Sequence, residues 1–488
     1  MNTAGFIEYL NKQRGMRIPV GYYARIALWR DWWEGYHEEF HKYRVQGADG
    51  ALRGREMYSM RMAKRVCESW ADLLLNEQTL LELDDAASQE WFCGKDNEGG
   101  ILAELDFWDG ANRLVELAFR SGTGAFVLRL EGLRLEGGEV LRSPAAKIRV
   151  EYLPAECILP ITVRHGVVQD AAFVSEVMLN GVACVYLETH RLEGEGYVIT
   201  NEFFRETEDG FAPFACPSGV IETIHTHSNV PWFGILRPNT VVNLPAAEQL
   251  PGMGMAVFAN AIDQLKACDM AYNNFVRDFY LGGKKVFYSK SLIRYDKDGL
   301  PIAPDDISQQ LFVQLGDGSA LEESRKPIEE YNPSLRVEEN KTGIQAALDY
   351  LSFACGLGTR HFRFDSGTGQ VTATQYAGER QDMRQSANKH QISIKAGLTD
   401  IVRAILWVGR NILGAPVDPD CRIKVQFDDS YISDSASERE TDRQDVRDSL
   451  MADWEYRVKW YGEDEETARR ACATMQSPSD DALMGFEV

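Results

Sequence analysis

Residues 258–283 read FANAIDQLKACDMAYNNFVRDFYLGG. Phe258, Ile262, Leu265, Cys268, Tyr272, Phe275, Val276 and Phe279 recur at three- and four-residue steps, the spacing of one apolar stripe on a helix. Asp263, Lys266, Asp269, Asn273 and Arg277 fill the remaining positions. Extended upstream, the pattern predicts a helix over 253–281, long for a globular protein, with Gly282-Gly283 as its stop. Downstream, 284–339 reads as a compact polar insert with short strands and Asp-Gly turns. Helix resumes at 340–354 through Ile344, Ala347, Leu348 and Leu351. A glycine-rich stretch, 356–372, leads into a longer helix at 373–412. The order is helix, β insert, helix, loop, helix, so the insert projects from one end of a helical pair and the loop turns the chain at the other.

Outward from this centre the hydrophobic period changes. Residues 124–230 hold β-prone runs such as AFVLRLEGLRLEGGEV and ACVYLETHRL, with glycine turns, and predict an antiparallel meander. Residues 20–46, 55–80 and 101–120 predict helices. RIKVQFDDSYI (422–432) predicts a strand, and the charged end predicts helices at 436–460 and 463–475. The fold class expected is α+β, with several domains.

The chain has 488 residues, which corresponds to about two to four domains. At 44% hydrophobic and 26% charged it is globular in composition. A net charge of −22 argues against wrapping nucleic acid or lying on an anionic membrane. The start, MNTAGFIEYLNKQRGMRIP, has no apolar core, so no signal peptide is expected, and no apolar run is long enough to span a membrane. The nearest two of nine cysteines, Cys67 and Cys93, lie 26 positions apart. That excludes CxxC motifs, and the odd count argues against a disulfide framework.

Few motifs carry chemistry. His37-Glu38-Glu39-Phe40-His41 matches H-E-x-x-H, a zinc-hydrolase pattern, but no third ligand follows at a known spacing. The simpler reading is a partly exposed surface helix. His225 and His227 alternate on a strand and would share a face. Asp296-Lys297-Asp298-Gly299 resembles part of a calcium loop, yet Arg294 stands where an acid is needed, and a hairpin turn fits better. There is no P-loop and no G-x-S-x-G elbow. No catalytic residues, cofactor or metal are expected.

Three stretches together carry a likeness: MRMAKRVCESWADLLLNEQTLLEL (60–83), PWFGILRPNTVVN through GMAVFANAIDQLKACDMAYNNFVRDFYLGGKKVF (231–287), and ACGLGTRHFRFDSGTGQVTATQYAGERQDMRQSANKHQ (354–391). Over roughly residues 20–430 the chain resembles the portal proteins of long-tailed phages and their prophages. The most specific parts are WADLLLNE, the AID-x-L-K-x-x-D-x-A-Y helix and the T-A-T-Q helix start. The resemblance implies a homo-oligomeric ring of about twelve copies at one capsid vertex of a virion, assembled in the host cytoplasm. It implies a channel for packaging and ejecting double-stranded DNA without tight binding. The implied partners are terminase, a head–tail adaptor, and major capsid and scaffolding proteins, with no membrane and no catalysis of its own. In that scheme 1–252 is a wing with an antiparallel sheet, 253–281 and 340–355 are stem helices, and 282–339 is a clip. Residues 356–372 are a tunnel loop, 373–432 a long helix with a strand returning to the wing, and 433–488 a helical crown. The tunnel loop puts Gly356, Gly358, Arg360, His361, Phe362, Arg363, Phe364, Asp365, Gly367 and Gly369 at the DNA. Lys284, Lys285, Lys290 and Arg294 of the clip face the motor or adaptor.

An acidic balance suits such a channel, because a like-charged wall keeps a duplex mobile. The loop, with Arg360, His361 and Arg363 against Asp365, and the long helix, with Arg380, Arg384, Lys389, Lys395, Arg403 and Arg410 against Glu379, Asp382 and Asp400, are locally basic exceptions. The competing expectations are a zinc hydrolase using His37 and His41, and a capsid-associated structural protein without a channel.

Overall fold

The structure, a computed structural model, describes residues 3–46, 50–76, 78–95, 97–194, 196–208, 210–289, 294–295, 297–298, 301–302, 312–315, 328–364, 373–428 and 435–476. Helix and sheet are mixed as expected for an α+β chain.

The N-terminal helices differ from the reading of their periods. Helix Val20–Glu34 buries Tyr22, Tyr23, Ile26, Trp29 and Trp32, and Gly35 ends it at φ +86 with its N–H on the Asp31 and Trp32 carbonyls. A Cβ at Gly35 would also lie 2.4 Å from the Arg61 side chain. The expected helix to 46 is therefore cut at 34. A four-residue turn, Glu38–His41, follows, and then strand Lys42–Gln46 pairs antiparallel with Leu52–Glu56. The helix expected over 55–80 is Met62–Leu74, preceded by Arg61 at φ +53. Its stripe, Ala63, Val66, Cys67, Trp70 and Leu74, is buried as its spacing demands. The third is two helices, Gly100–Glu104 and Phe107–Ser121, divided at Asp106, φ +48.

The expected single meander is two sheets. In the smaller, Gly124–Glu131 lies between Phe233–Leu236 and Lys147–Pro154, all antiparallel. In the larger, Ile158–Arg164, Val167–Leu179, Val182–Glu193 and Gly196–Thr207 run antiparallel in sequence order. Gly210–Phe214 and Thr223–His225 pair with the last of these, and a single parallel bridge, His225 to Glu139, extends the sheet.

Helix Ala373–Val408 lies against the smaller sheet and continues as one π turn, Gly409–Leu413. Its C-terminal half fully buries Ile394, Leu398, Ile401, Val402 and Ile405. Two glycines make the contact: a Cβ on Gly397 would sit 2.8 Å from the Ile235 carbonyl oxygen, and one on Gly234 2.6 Å from the Gly397 oxygen. No larger residue allows backbone to approach backbone this closely. Strand Ile423–Gln426, shorter than expected, then returns to pair with Leu80–Leu83.

In chain order, two paired helices, Ile262–Leu281 and Val337–Ala354, come between the sheets and the long helix. The first starts nine residues later than its apolar pattern suggested, after a 3₁₀ turn at Ala259–Ala261, although Phe258 remains fully buried. The second starts three residues earlier than expected. The pair is antiparallel: Asp278, near the end of the first, accepts from Arg336 at 2.6 Å and from Asn340 at 2.7 Å at the start of the second. Leu265 and Cys268 meet Ile344, Leu348 and Leu351 within a core that runs on into both sheets. Gly282 is kept by crowding, since a Cβ there would be 2.4 Å from Leu335, and its φ of −78 is ordinary. The intervening insert holds Lys285–Ser289 between Phe312–Leu315, parallel, and Ile328–Tyr331, antiparallel. At the C-terminal end the expected helix 436–460 is two, Ser435–Arg447 and Asp453–Tyr461, followed by Glu465–Gln476.

Candidate functional site

The glycine-rich loop opens as a tightly bonded turn. The Gly356 and Leu357 N–H groups donate to the Phe353 and Ser352 carbonyls, and the Trp70 indole N–H donates to the Cys355 carbonyl at 3.1 Å. Gly356 and Gly358 take φ of +78 and +76, and Arg360 takes +61. The chain then doubles back along helix 337–354. The Gln345 side chain holds it from both sides, donating to the Phe362 carbonyl at 2.9 Å and accepting from the Phe364 N–H at 2.8 Å. Phe362 is buried, and the Phe364 ring packs edge-on against Phe275 of the other helix, centroids 6.0 Å apart. Both phenylalanines, expected at the DNA, pack on the chain's own core, Phe362 buried and Phe364 half-buried, and burial of large rings helps to fix the turn. Arg360, His361 and Arg363 are exposed. Asp365, Gly367 and Gly369 lie outside the described residues.

The long helix is clamped beside this turn. Asn239 donates its backbone N–H to His390 Nδ1 at 3.0 Å and its side-chain amide to the Lys389 carbonyl at 2.7 Å. His390 is buried against Trp70 and Phe119, at 4.8 and 5.0 Å between centroids. Burial, with a smaller push from the Lys389 charge, lowers its pKa to about 4. It is neutral, with the proton on Nε2.

Of the insert residues, Lys284 pairs with Glu330 at 2.7 Å, Lys285 lies opposite Tyr331, and Arg294 opposite Ile302. Lys290 lies outside the described residues, as do Asp296 and Gly299 of the calcium-like sequence.

The H-E-x-x-H segment does not present two imidazoles to one ion, and the expected surface helix is a short turn with a buried end. His41 Nδ1 lies 2.8 Å from the His37 backbone nitrogen and 3.1 Å from its carbonyl oxygen, and Nε2 lies 3.0 Å from an Asp269 carboxylate oxygen. His41 is completely buried. Asp269, expected on the polar face of its helix, is buried too, and also accepts from the Met60 N–H at 2.6 Å and Ser59 Oγ at 3.2 Å. One turn on, Asn273 bonds both the N–H and the carbonyl of Tyr58. This latch was not legible, because Asp269 and Asn273 obey the polar spacing of an exposed helix face. His227 pairs with Glu139 rather than with His225, and its φ of +55 takes it off the strand.

A second buried network joins the two sheets. Arg129, from the smaller, pairs with Glu188, from the larger, and Glu188 also meets His190 at 2.5 Å. Tyr186 Oη lies 2.7 Å from both Glu188 and Asn201. Burial, helped by the Arg129 charge, lowers the His190 pKa to about 3. A buried carboxylate needs such a partner set.

Among the described residues no group of three or more His, Cys, Asp or Glu is placed to hold a metal ion, and no helix is long and apolar enough to cross a membrane. All nine cysteines are free. No protein-family model and no curated protein matches the sequence.

What remains exposed on the helical pair is unusual. On helix 262–281, Asp263, Ala267, Met270, Asn274, Arg277 and Leu281 form an outward stripe, flanked by Phe279 and Tyr280. On helix 337–354, Glu339, Gly343, Ala346, Tyr350 and Phe353 form another. Met270, Tyr280, Tyr350 and Phe353 are each more than half exposed. These large apolar side chains stand in solvent beside charged and polar ones, Asp263, Asn274, Arg277 and Glu339.

Proposed function

We propose that this chain is the subunit of a portal-like ring whose central channel conducts double-stranded DNA. The observation that carries the reading is the pair of outward stripes on the two long helices. Because the helices are antiparallel, Arg277 of one stripe lies at the height of Glu339 of the other, and Met270 at the height of Ala346 and Tyr350. The stripes differ from one another, so association is heterologous, one copy's first helix against the next copy's second. Repeated around an axis with a rotation that closes, such a contact makes a ring. Gly343 and Ala346 let a neighbouring helix approach closely.

Other features support the same reading. The insert stands at one end of the helical pair and the basic turn Arg360–Arg363 follows the other. The net charge of −22 disfavours tight binding of a passing duplex. Packaging motor, adaptor and capsid partners, and a place at a capsid vertex, follow from the portal resemblance. The zinc-hydrolase alternative loses support, since both His41 nitrogens are already bonded. The expected absence of catalysis stays part of the proposal.

Light scattering and negative-stain imaging of the purified chain test it. A ring of several hundred kilodaltons with a central hole is expected. A 55.0 kDa monomer at all protein and salt concentrations would overturn it. Deleting the loop after Gly356 should leave rings intact while nuclease-protected DNA is lost, and packaging at the wild-type level would remove the loop from the channel.

A further inference from the structure

The hairpin Lys42–Gln46/Leu52–Glu56 is exposed at all ten strand positions. Its register places Tyr43, Val45, Arg53 and Arg55 on one face and Lys42, Arg44, Leu52 and Glu56 on the other. On the two strands four basic side chains stand against one acidic one, with Lys42 already paired to Glu38 at 2.9 Å, in a chain whose net charge is −22. Among the described residues neither Arg44 nor Arg55 has a carboxylate partner. Leu52 is 65% exposed, and Tyr43 and Val45 are exposed as well. A lone two-stranded ribbon is marginal in water, so one carrying apolar side chains on both faces calls for a partner surface.

The base of the ribbon is fixed to a helix, while its two strands pair with no other strand of the described residues. The Met57 N–H donates to the His41 carbonyl at 2.8 Å and closes the ladder. Immediately below, His41, Tyr58, Ser59 and Met60 are all bonded to Asp269 or Asn273 of helix 262–281. Met270 and Asn274, the next residue after each anchor, belong to the outward stripe. The ribbon is therefore rooted at the border of the proposed subunit contact.

We infer that strands Lys42–Gln46 and Leu52–Glu56 form a basic arm that docks on the acidic surface of the neighbouring copy. The inference rests on the ring reading. Charge selects the partner: every copy offers a strongly acidic surface, and the arm is a locally basic element. Continuity selects it too, because whatever covers the stripe at Met270 stands beside the ribbon. Duplex DNA, the other acidic polymer a ribbon fits, would make no use of Tyr43, Val45 and Leu52 along its phosphates.

The test places a benzoylphenylalanine photo-crosslinker at Leu52 in rings mixed from ¹⁴N- and ¹⁵N-labelled copies. Mixed-isotope crosslinked peptides are expected, with the partner peptide rich in Asp and Glu. The substitutions Arg44→Glu, Arg53→Glu and Arg55→Glu together should lower that yield about tenfold, the size expected for three exposed charge contacts, and should make rings dissociate at lower protein concentration. Rings that form without inter-subunit crosslinks would overturn the arm and leave the ring standing. A monomer under all conditions would overturn the ring, and the arm with it. Fluorescence anisotropy with a short duplex separates the remaining case: binding by the wild type that is lost in the triple variant would make the ribbon a nucleic-acid contact and overturn the inference.

Discussion

The C-terminal half of helix 373–408 and the paired helices 262–281 and 337–354 use similar side chains to different ends. The former buries Ile394, Leu398, Ile401, Val402 and Ile405 completely within one chain, against a strand held at backbone contact by Gly234 and Gly397. The latter bury Leu265, Cys268, Ile344, Leu348 and Leu351 among their apolar side chains, and leave Met270, Tyr280, Tyr350 and Phe353 in solvent. The first region is a finished core. The second is a helical pair with one face covered, joined to the rest of the chain through Trp70, Gln345 and Asp269, and its outward stripes are the surface proposed above for the neighbouring copy. A helix needs one covered face to be stable in a fold. These helices have it, and carry exposed apolar side chains on the other face.

The sharpest way to break this contrast is to truncate each region. Trp70→Ala removes a fully buried indole and its bond to Cys355, and should cost ~3–5 kcal/mol in denaturant unfolding. A loss under ~1 kcal/mol would mean that the junction of core and helical pair is not packed as described. Gln345→Ala releases the doubled-back turn from both backbone groups and should cost about 1–3 kcal/mol. Hydrogen exchange at Phe364 should rise in this variant while the sheets stay protected. Equal exchange everywhere would place the turn inside the global unfolding unit.

The core also has a pH signature. His390 has a folded pKa of about 4, below the ordinary value of 6.5, so between these limits the unfolded chain binds a proton that the folded chain refuses. Stability on this account is full above pH 6.5, falls as pH drops toward 4, and levels off below. His390→Gln, which keeps an acceptor for Asn239, should flatten that part of the curve. An unchanged slope would remove His390 as its source. The smallest effect on stability is expected for Met270→Asp with Tyr350→Asp. The unfolding midpoint should stay within about 0.5 kcal/mol, as for other surface changes, while light scattering falls from a ring to 55.0 kDa. If this pair unfolds the monomer instead, the stripes belong to the core and the contrast disappears.

Legibility followed the same division. Positions with strict helical period, such as Val66, Trp70 and Leu74, or Leu265 and Cys268, were readable because a three- or four-residue repeat admits one solution. The ribbon at 42–56 was hidden between two apparent helices. Its alternation, Lys-Tyr-Arg-Val-Gln, carries charges where a strand core would carry apolar groups, and the aromatic spacing from Trp29 through Phe40 ran the helix past Gly35. Phe362 and Phe364 read as loop residues for want of any period, and Gln345 gave no signal, since an amide that bonds two backbone groups has no spacing rule.

By itself the sequence determined the order of helix, insert, helix, turn and long helix, and the acidic character of the chain, because these follow from local period, glycine placement and net charge. Only the tertiary structure decided that Asp269 is a buried anchor and not a surface acid, that His41 packs against it, that the loop phenylalanines belong to the helical pair, and which faces of that pair stay bare. The physical reason is that burial of a polar group, or exposure of an apolar one, depends on what arrives from far along the chain: Ser59 and Met60 come to Asp269 from 210 and 209 residues away. A local pattern holds no record of such a meeting.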